Sequence, residues 1–313
     1  SNEVGYADAL DIVGYNYQES RYEMDHSQFP NRIIYGSENG MALKFWKAVS
    51  DNNFVLGQFL WTGIEYLGEA KKFPIRNSTS GLIDLAGFKK PEYYFRQSLW
   101  SEKPMVFIGV SKSRMKRKYL WAHHNIYPHW NWKPNQKLQV TVFSNCEEVE
   151  LFSNENSLGT KKLSKYPNKE LSWKFIFNPG VLHAVGRINE QKVASSTIQT
   201  AKEPVKLLLK SDRYKLKANK QDVAHIDIKI VDEQDVRVYS ADNMIKCQIT
   251  GPIRLLGMED ANCKNTENYK TSQRSAYNGR LLIYIQSLNY VGRAKIKISS
   301  PGLKSAELIL EVI

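Results

Sequence analysis

Apolar and polar positions change rhythm near residue 103. Before it, short apolar runs alternate with helix-like segments. DIVGYNY (11–17), NRIIYGSENG (31–40) and FVLGQFLWTG (54–63) read as strands, the second bounded by Pro30 and Gly40. MALKFWKAVSD (41–51) places Ala42, Phe45, Trp46 and Val49 at i, i+3, i+4 and i+7, which is one face of a helix. PEYYFRQSLW (91–100) predicts another helix, opened by Pro91, whose missing N–H is an unpaired position there anyway. RYEMDHSQF (21–29) reads as a polar connection. Nearly continuous apolar strands between helices predict a parallel sheet covered on its faces.

After residue 103 the helical spacing disappears. LQVTVFS (138–144), EVELFS (148–153), LSWKFIF (171–177) and VLHAVGRI (181–188) alternate with period two, and Asn, Gly and Pro mark the turns between them. PVKLLLKSD (204–212), HIDIKIVDE (225–233), MIKCQITGP (244–252), RLLIYIQS (280–287), RAKIKISS (293–300) and AELILEV (306–312) continue in the same style. Two antiparallel sandwiches of immunoglobulin type are expected. The expected domains are 1–102, an α/β unit, then 103–202 and 203–313, each a β-sandwich. The segment 257–279 is polar and aperiodic and reads as a long loop. The first hundred residues hold about three strands, whereas a closed eight-stranded α/β barrel takes ~250 residues. They therefore read as a small open sheet or as the tail of a barrel whose front is missing. An abrupt start at SNEVG favours the second reading.

Composition narrows the class. Of 313 residues, 42% are hydrophobic and 24% charged, which is globular. No run of about 18 apolar residues occurs, so no membrane span is expected. SNEVGYADAL lacks the basic segment and apolar core of a secretory leader. Three cysteines, Cys146, Cys247 and Cys263, are too few for a disulfide framework and lack metal-ligand spacing. Buried free thiols are expected, with a Cys247–Cys263 pair as the alternative. The net charge of +12 is spread as −3 over 1–102, +9 over 103–201 and +6 over 202–313. Most lysines alternate with apolar residues and belong to the solvated faces of strands. The densest basic cluster, Lys112, Arg114, Lys116, Arg117 and Lys118, has no interleaved aromatics, so nucleic acid is not an expected partner.

The candidate chemistry lies at one end of the parallel strands. Glu38 closes RIIYGSE, Asn16 and Tyr17 close DIVGYNY, and Trp61 closes QFLW. In parallel α/β folds that end of the strands carries the active site. A carboxylate beside an aromatic plane and hydrogen-bonding Asn and Tyr side chains is what a sugar pocket needs. A carboxylate that merely caps the next helix, and a Trp that merely packs, fit the same positions. In YPHWNW (127–132), Trp130 and Trp132 stand two apart; they fit a sugar-stacking ridge or, better, an interdomain plug. His123 and His124 have no partner at zinc-ligand spacing, and Glu259, Asp260 and Glu267 lack the calcium-loop pattern.

GYNYQESRY, IIYGSENG and GQFLWTGIEYLGE together resemble the last strands of the catalytic barrel of glycoside hydrolase family 2, in particular of multidomain β-galactosidases from Bacteroides-like bacteria. YPHWNW, VFSNCEEVELFSNENSLG and the terminal strands resemble the accessory domains that follow that barrel. The resemblance implies the C-terminal part of a (β/α)8 TIM barrel followed by two immunoglobulin-like sandwiches. It implies Glu38 as nucleophile, Trp61 beside the innermost sugar, and Asn16 and Tyr17 as groups near the nucleophile. A retaining mechanism needs a second carboxyl group ~5–5.5 Å away. The family's acid/base Glu follows an Asn on an earlier strand. Asn2-Glu3 stands too close to Asp11 for that role, and Glu65 and Glu69 follow Trp61. The expectation is thus a catalytically incomplete piece of a secreted or periplasmic enzyme, needing no cofactor or metal. Its expected partners are a β-galactoside, the N-terminal domains of the same chain, and a second copy through the open barrel edge. Relatives that cut glucuronides carry an Asn-x-Lys element, where this sequence has Asn77-Ser78-Thr79; Arg76 or Lys72 could substitute. A neutral galactoside is therefore expected over a glucuronide. A β-mannosidase and a non-catalytic carbohydrate-binding module are the remaining alternatives.

Overall fold

The computed structural model describes residues 2–112 and 125–313. At the front, β1 (Ile12–Asn16) leads through α1 (Tyr22–Gln28) to β2 (Ile33–Asn39), and α2 (Leu43–Ser50) returns the chain to β3 (Val55–Leu60). The three strands are parallel, in the order β1-β2-β3. One face is covered: Val13, Tyr15, Ile34 and Val55 are buried against Tyr22 of α1 and Ala48 and Val49 of α2. The other face exposes Ile12, Ile33, Leu56 and Phe59, the least exposed of them at 42%. Cover on both faces, expected from the continuous apolar runs, is therefore found on one face only. The expected polar connection over 21–29 is also corrected, because α1 occupies most of it. Its buried positions include Asp25, which accepts a 2.7 Å hydrogen bond from the Tyr15 hydroxyl and pairs with Arg21 at 3.1 Å. A satisfied carboxylate anchors this helix where an apolar side chain would have betrayed it to a periodicity search.

A short hairpin follows, β4 (Tyr66–Leu67) with β5 (Asn77–Ser78), then α3 (Pro91–Trp100) at the expected bounds. The first sandwich comprises β6 (Val106–Lys112), β7 (Lys137–Ser144), β8 (Glu148–Ser153), β9 (Asn156–Lys162), β10 (Leu171–Ile176), β11 (Val181–Ile188) and β12 (Gln191–Gln199). Its sheets run β10-β7-β6 and β12-β11-β8-β9. Val140, Val142, Leu151, Leu171 and Leu182 fill the space between them. β9 and β12 are the polar edges of the second sheet, largely solvated, which is why alternation does not mark them.

The second sandwich comprises β13 (Lys206–Ser211), β14 (Lys215–Leu216), β15 (Val223–Val231), β16 (Met244–Thr250), β17 (Ile253–Glu259), β18 (Gln273–Ser275), β19 (Arg280–Ser287), β20 (Gly292–Ser299) and β21 (Ala306–Val312). Its sheets run β13-β15-β19-β17 and β14-β21-β20-β16-β18, the strand order of immunoglobulin sandwiches. Along β15, Ile226, Ile228 and Ile230 turn inward while His225, Asp227 and Lys229 face out. Each buried isoleucine contributes roughly 1.5–3 kcal/mol. All three cysteines are free. The basic cluster from Arg114 to Lys118 and the His123-His124 pair lie outside the described residues.

Asp84, between β5 and α3, ties its loop by accepting the N–H groups of Ala86 and Phe88 at 3.0 and 2.9 Å. Burial, reinforced by the nearby charge of Glu65, lifts its carboxyl to about 7. An acid raised in the folded state holds its proton there after the unfolded chain has lost it. Its effect on stability is therefore a loss as pH climbs from about 4 to about 7. Asp84→Asn keeps the acceptor and removes the titration. It should gain on the order of a few kcal/mol over wild type at pH 8 and little at pH 4. Chemical denaturation at the two pH values tests this, and parallel shifts at both would refute it.

Candidate active site

Backbone pairing brings the ends of β1, β2 and β3 to one rim. Asn16 is in register with Glu38, the Tyr17 N–H donates to the Glu38 carbonyl at 2.9 Å, and the Trp61 N–H donates to the Asn39 carbonyl at 2.9 Å. Tyr17 adopts a left-handed φ of 52°, which turns the chain as it leaves β1. Its hydroxyl bonds the Glu38 carboxylate; burial first, then that bond and that charge, push the hydroxyl well above its ordinary pKa. Tyr17 thus stays a donor far into alkaline solution. Glu38 is half-buried. Gly36, two residues earlier, leaves room that a Cβ would fill, since one there would meet Asn39 and stand 2.7 Å from the Tyr22 hydroxyl. Tyr22 and Asn39 hydrogen-bond beneath the rim, so the strand carrying Glu38 is fixed from below.

Trp61, half-buried and followed by a cis Trp61–Thr62 peptide, has its ring 6.0 Å from that of Tyr66. Two residues that sequence reading missed belong here. Tyr66 donates from its hydroxyl to Glu69 at 2.7 Å; desolvation first, then Glu69 and the field of Glu38, raise its pKa. Glu19 is 8% exposed, and its charge acts on Tyr17. Its Oε1 has no hydrogen-bond partner among the described residues. The spacing of Glu19 from Tyr17 offered a signal only if α1 had been recognised. Asn16, by contrast, is exposed at the edge of this group.

Neither later carboxylate is free to join Glu38 as an acid. Glu65 is 7% exposed and bound to Lys90 at 2.7 Å and Asn77 at 3.0 Å. Glu69 is the acceptor of Tyr66. The cations considered for a sugar carboxylate are also accounted for in part. Arg76 reaches the second sandwich, bonding the Tyr269 hydroxyl and the Asn262 carbonyl, and Asn77 is buried on Glu65. The plug expected of YPHWNW is corrected in part: Trp130 is fully buried in the core of the first sandwich itself, against Phe175 and Phe177, while His129 stacks 4.9 Å from Trp132 and lies 4.5 Å from Tyr239 of the second sandwich. Burial and the neighbouring Arg237 push His129 down to about 4.

Residues 207–309 match the family model "Glycoside hydrolase family 2 C-terminal domain 5", and residues 135–194 match a domain of unknown function, DUF4982. The second sandwich is thereby matched to glycoside hydrolase family 2. Beta-galactosidase BoGH2A of Bacteroides ovatus is 29% identical over 98% of this chain and 40% of its own length. A putative beta-glucuronidase of Formosa agariphila is 28% identical over 91% of this chain and 26% of its own. A family 2 member from Bacteroides cellulosilyticus superposes with a TM-score of 0.91 at 30% identity, covering 97% of this chain and 42% of that one. A beta-glycosidase from Bacteroides vulgatus gives 0.85 at 25% identity, over 98% and 46%. The chain therefore spans between a quarter and just under half of the length of these relatives.

Proposed function

We propose that this chain supplies the nucleophile half of a retaining β-glycosidase acting on neutral β-galactosides. The convergence of Glu38, its Tyr17 hydrogen bond and Trp61 on one strand-end rim is the observation that carries the reading. The exposed apolar row Ile12, Ile33, Leu56 and Phe59 supports the accompanying proposal that the three strands complete a (β/α)8 barrel with strands supplied from elsewhere in a longer enzyme.

In this mechanism the Glu38 carboxylate attacks the anomeric carbon as the C–O bond to the leaving group breaks. A second carboxylic acid, outside this chain's site, gives its proton to the leaving oxygen. The glycosyl-enzyme ester is then opened by water, whose proton returns to that second group. Tyr17 holds the attacking oxygens in line, and the Trp61 ring gives the sugar an apolar plane. The commitment of Arg76 to Tyr269 favours a neutral sugar, because it occupies one of the two cations, Arg76 and Lys72, that could hold a glucuronide carboxylate. Hydrolysis of nitrophenyl β-galactoside against nitrophenyl β-glucuronide by an enzyme containing this chain tests the choice; preference for the glucuronide would reverse it. Tyr17→Phe removes a bond to a charged group worth ~1.5–3 kcal/mol. It should lower kcat about 10- to 100-fold, with less effect on KM. An unchanged kcat would remove Tyr17 from the site.

A further inference from the structure

Away from the Glu38 rim, a cavity of about 310 Å³ lies where the loop between β5 and α3 meets both sandwiches. That is the lower end of the ~300–1,000 Å³ range of small-ligand sites. Its walls combine aromatic rings (Phe88, Tyr239, Tyr277) with Asn125, Asn278 and several charges.

Four acidic residues, Glu65, Asp84, Glu92 and Asp260, face four basic ones, Lys89, Lys90, Arg237 and Arg280, but the pairing among them is uneven. Lys90 and Glu65 form a 2.7 Å pair, and Asp260 is matched by Arg274 at 3.3 Å. Arg280 is committed by two bonds to Asp227, at 2.7 and 2.6 Å, with its plane 3.5 Å over Phe88. Arg237 is different. Its guanidinium lies 5.0 Å over the Tyr239 ring, and Asp227, the carboxylate whose field it feels, is already taken by Arg280. No described residue accepts a hydrogen bond from Arg237, although burial penalises its charge. The wall's Asp84 is raised to about 7 and opposes an incoming anion only weakly. A stacked guanidinium with its edge donors unspent is built for a planar carboxylate, which it can bind through two parallel hydrogen bonds. The rings beside it offer faces for an apolar or sugar-like body.

We propose that this interdomain cavity binds a small organic carboxylate of about monosaccharide size, with Arg237 as its anchor. The site stands apart from Glu38 and does not depend on the hydrolase reading. Titration calorimetry with sodium galacturonate as probe, on wild type and on Glu38→Gln, should give the same one-site binding. Arg237→Met should weaken that binding about tenfold or more, the scale of a lost charge-assisted hydrogen bond. Asn125→Asp, which adds a negative charge to the wall without changing shape, should weaken it too. The Asp variant serves if the Met variant does not fold. Galactose, which lacks the carboxylate, should show no Arg237-dependent binding. Absence of galacturonate binding to wild type, or binding unchanged in both wall variants, overturns the proposal. Loss of binding in Glu38→Gln alone would assign the probe to the rim instead.

Discussion

Glu38→Gln is expected to lower glycoside turnover on the order of 10⁴-fold or more in any form of this protein that also carries the acid carboxylate, because no glycosyl ester can form on an amide. The expectation rests on a contrast within the rim. Asn16 and Trp61 can bind or orient a sugar but cannot attack the anomeric carbon, and the Tyr17 hydroxyl, kept protonated by burial and by Glu38, is a donor here and not an attacking anion. Among the described carboxylates near the rim, Glu65 is committed to Lys90 and Asn77, Glu69 accepts from Tyr66, and Glu19 is 8% exposed, behind Tyr17. Backbone pairing of Asn16, Tyr17 and Trp61 to β2 does not involve the Glu38 side chain, so the variant should fold as wild type does. The check has two parts. Steady-state hydrolysis of a β-galactoside with an activated leaving group should collapse without a matching change in unfolding midpoint. Mass spectrometry after reaction with a slowly hydrolysed 2-fluoro sugar should find the added glycosyl group on the peptide containing Glu38 in wild type and not in the variant. Retained turnover would remove Glu38 from the chemistry. The same measurements on the 313-residue chain alone should show no turnover above background.

How much of this could be read from the residues depended on whether a local pattern reported the physics that fixed it. The strands of both sandwiches whose faces differ in burial, such as Val223–Val231 with its inward isoleucines, were visible as alternation. The polar edges Asn156–Lys162 and Gln191–Gln199 were not, because neither face of an edge strand need be apolar. α1 escaped because Asp25 and Tyr22 replace an apolar stripe with a hydrogen-bonded anchor. At the rim, the ends of three neighbouring strands could be aligned by counting, so Tyr17, Glu38 and Trp61 were legible. Tyr66 was not, since its approach depends on a hairpin closed by two-residue strands. The commitment of Arg76 to Tyr269 spans 193 residues, and no local spacing reports a contact of that range.

Arg274→Met should be the most damaging single change in the second sandwich. Residues 257–279 read as a loop without internal order, yet β17 runs into the segment and β18 lies within it, carrying Arg274 with no side-chain exposure. Its guanidinium faces Asp260 at 3.3 Å and Glu259 at 3.9 Å, donates to the Glu267 carbonyl at 3.0 Å, and lies 4.7 Å from the Tyr269 ring. Asp260 has 1% side-chain exposure and Glu259 has 9%, so neither can turn to water when the cation is lost. Burial already raises the Glu259 carboxyl, and losing the Arg274 charge would raise it further. Breaking one side of a buried ion pair typically costs ~3–5 kcal/mol, against 0–1 for a surface pair. With a urea m-value of ~1–3 kcal/mol per molar, the midpoint of the affected transition should fall by more than about 1 M. Asp260→Asn in the Arg274→Met background should recover part of the loss, because it removes a buried negative charge that then has amide hydrogen bonds but no counter-charge. Tyr269 also receives Arg76, so loosening this loop should weaken the tie between the second sandwich and the hairpin beside Tyr66. Proteolysis after Lys71 or Lys72, in the segment between the hairpin strands, should therefore quicken in Arg274→Met before the first sandwich is affected. A midpoint within experimental error of wild type would mean that the loop's order comes from its backbone turns and not from the buried charge.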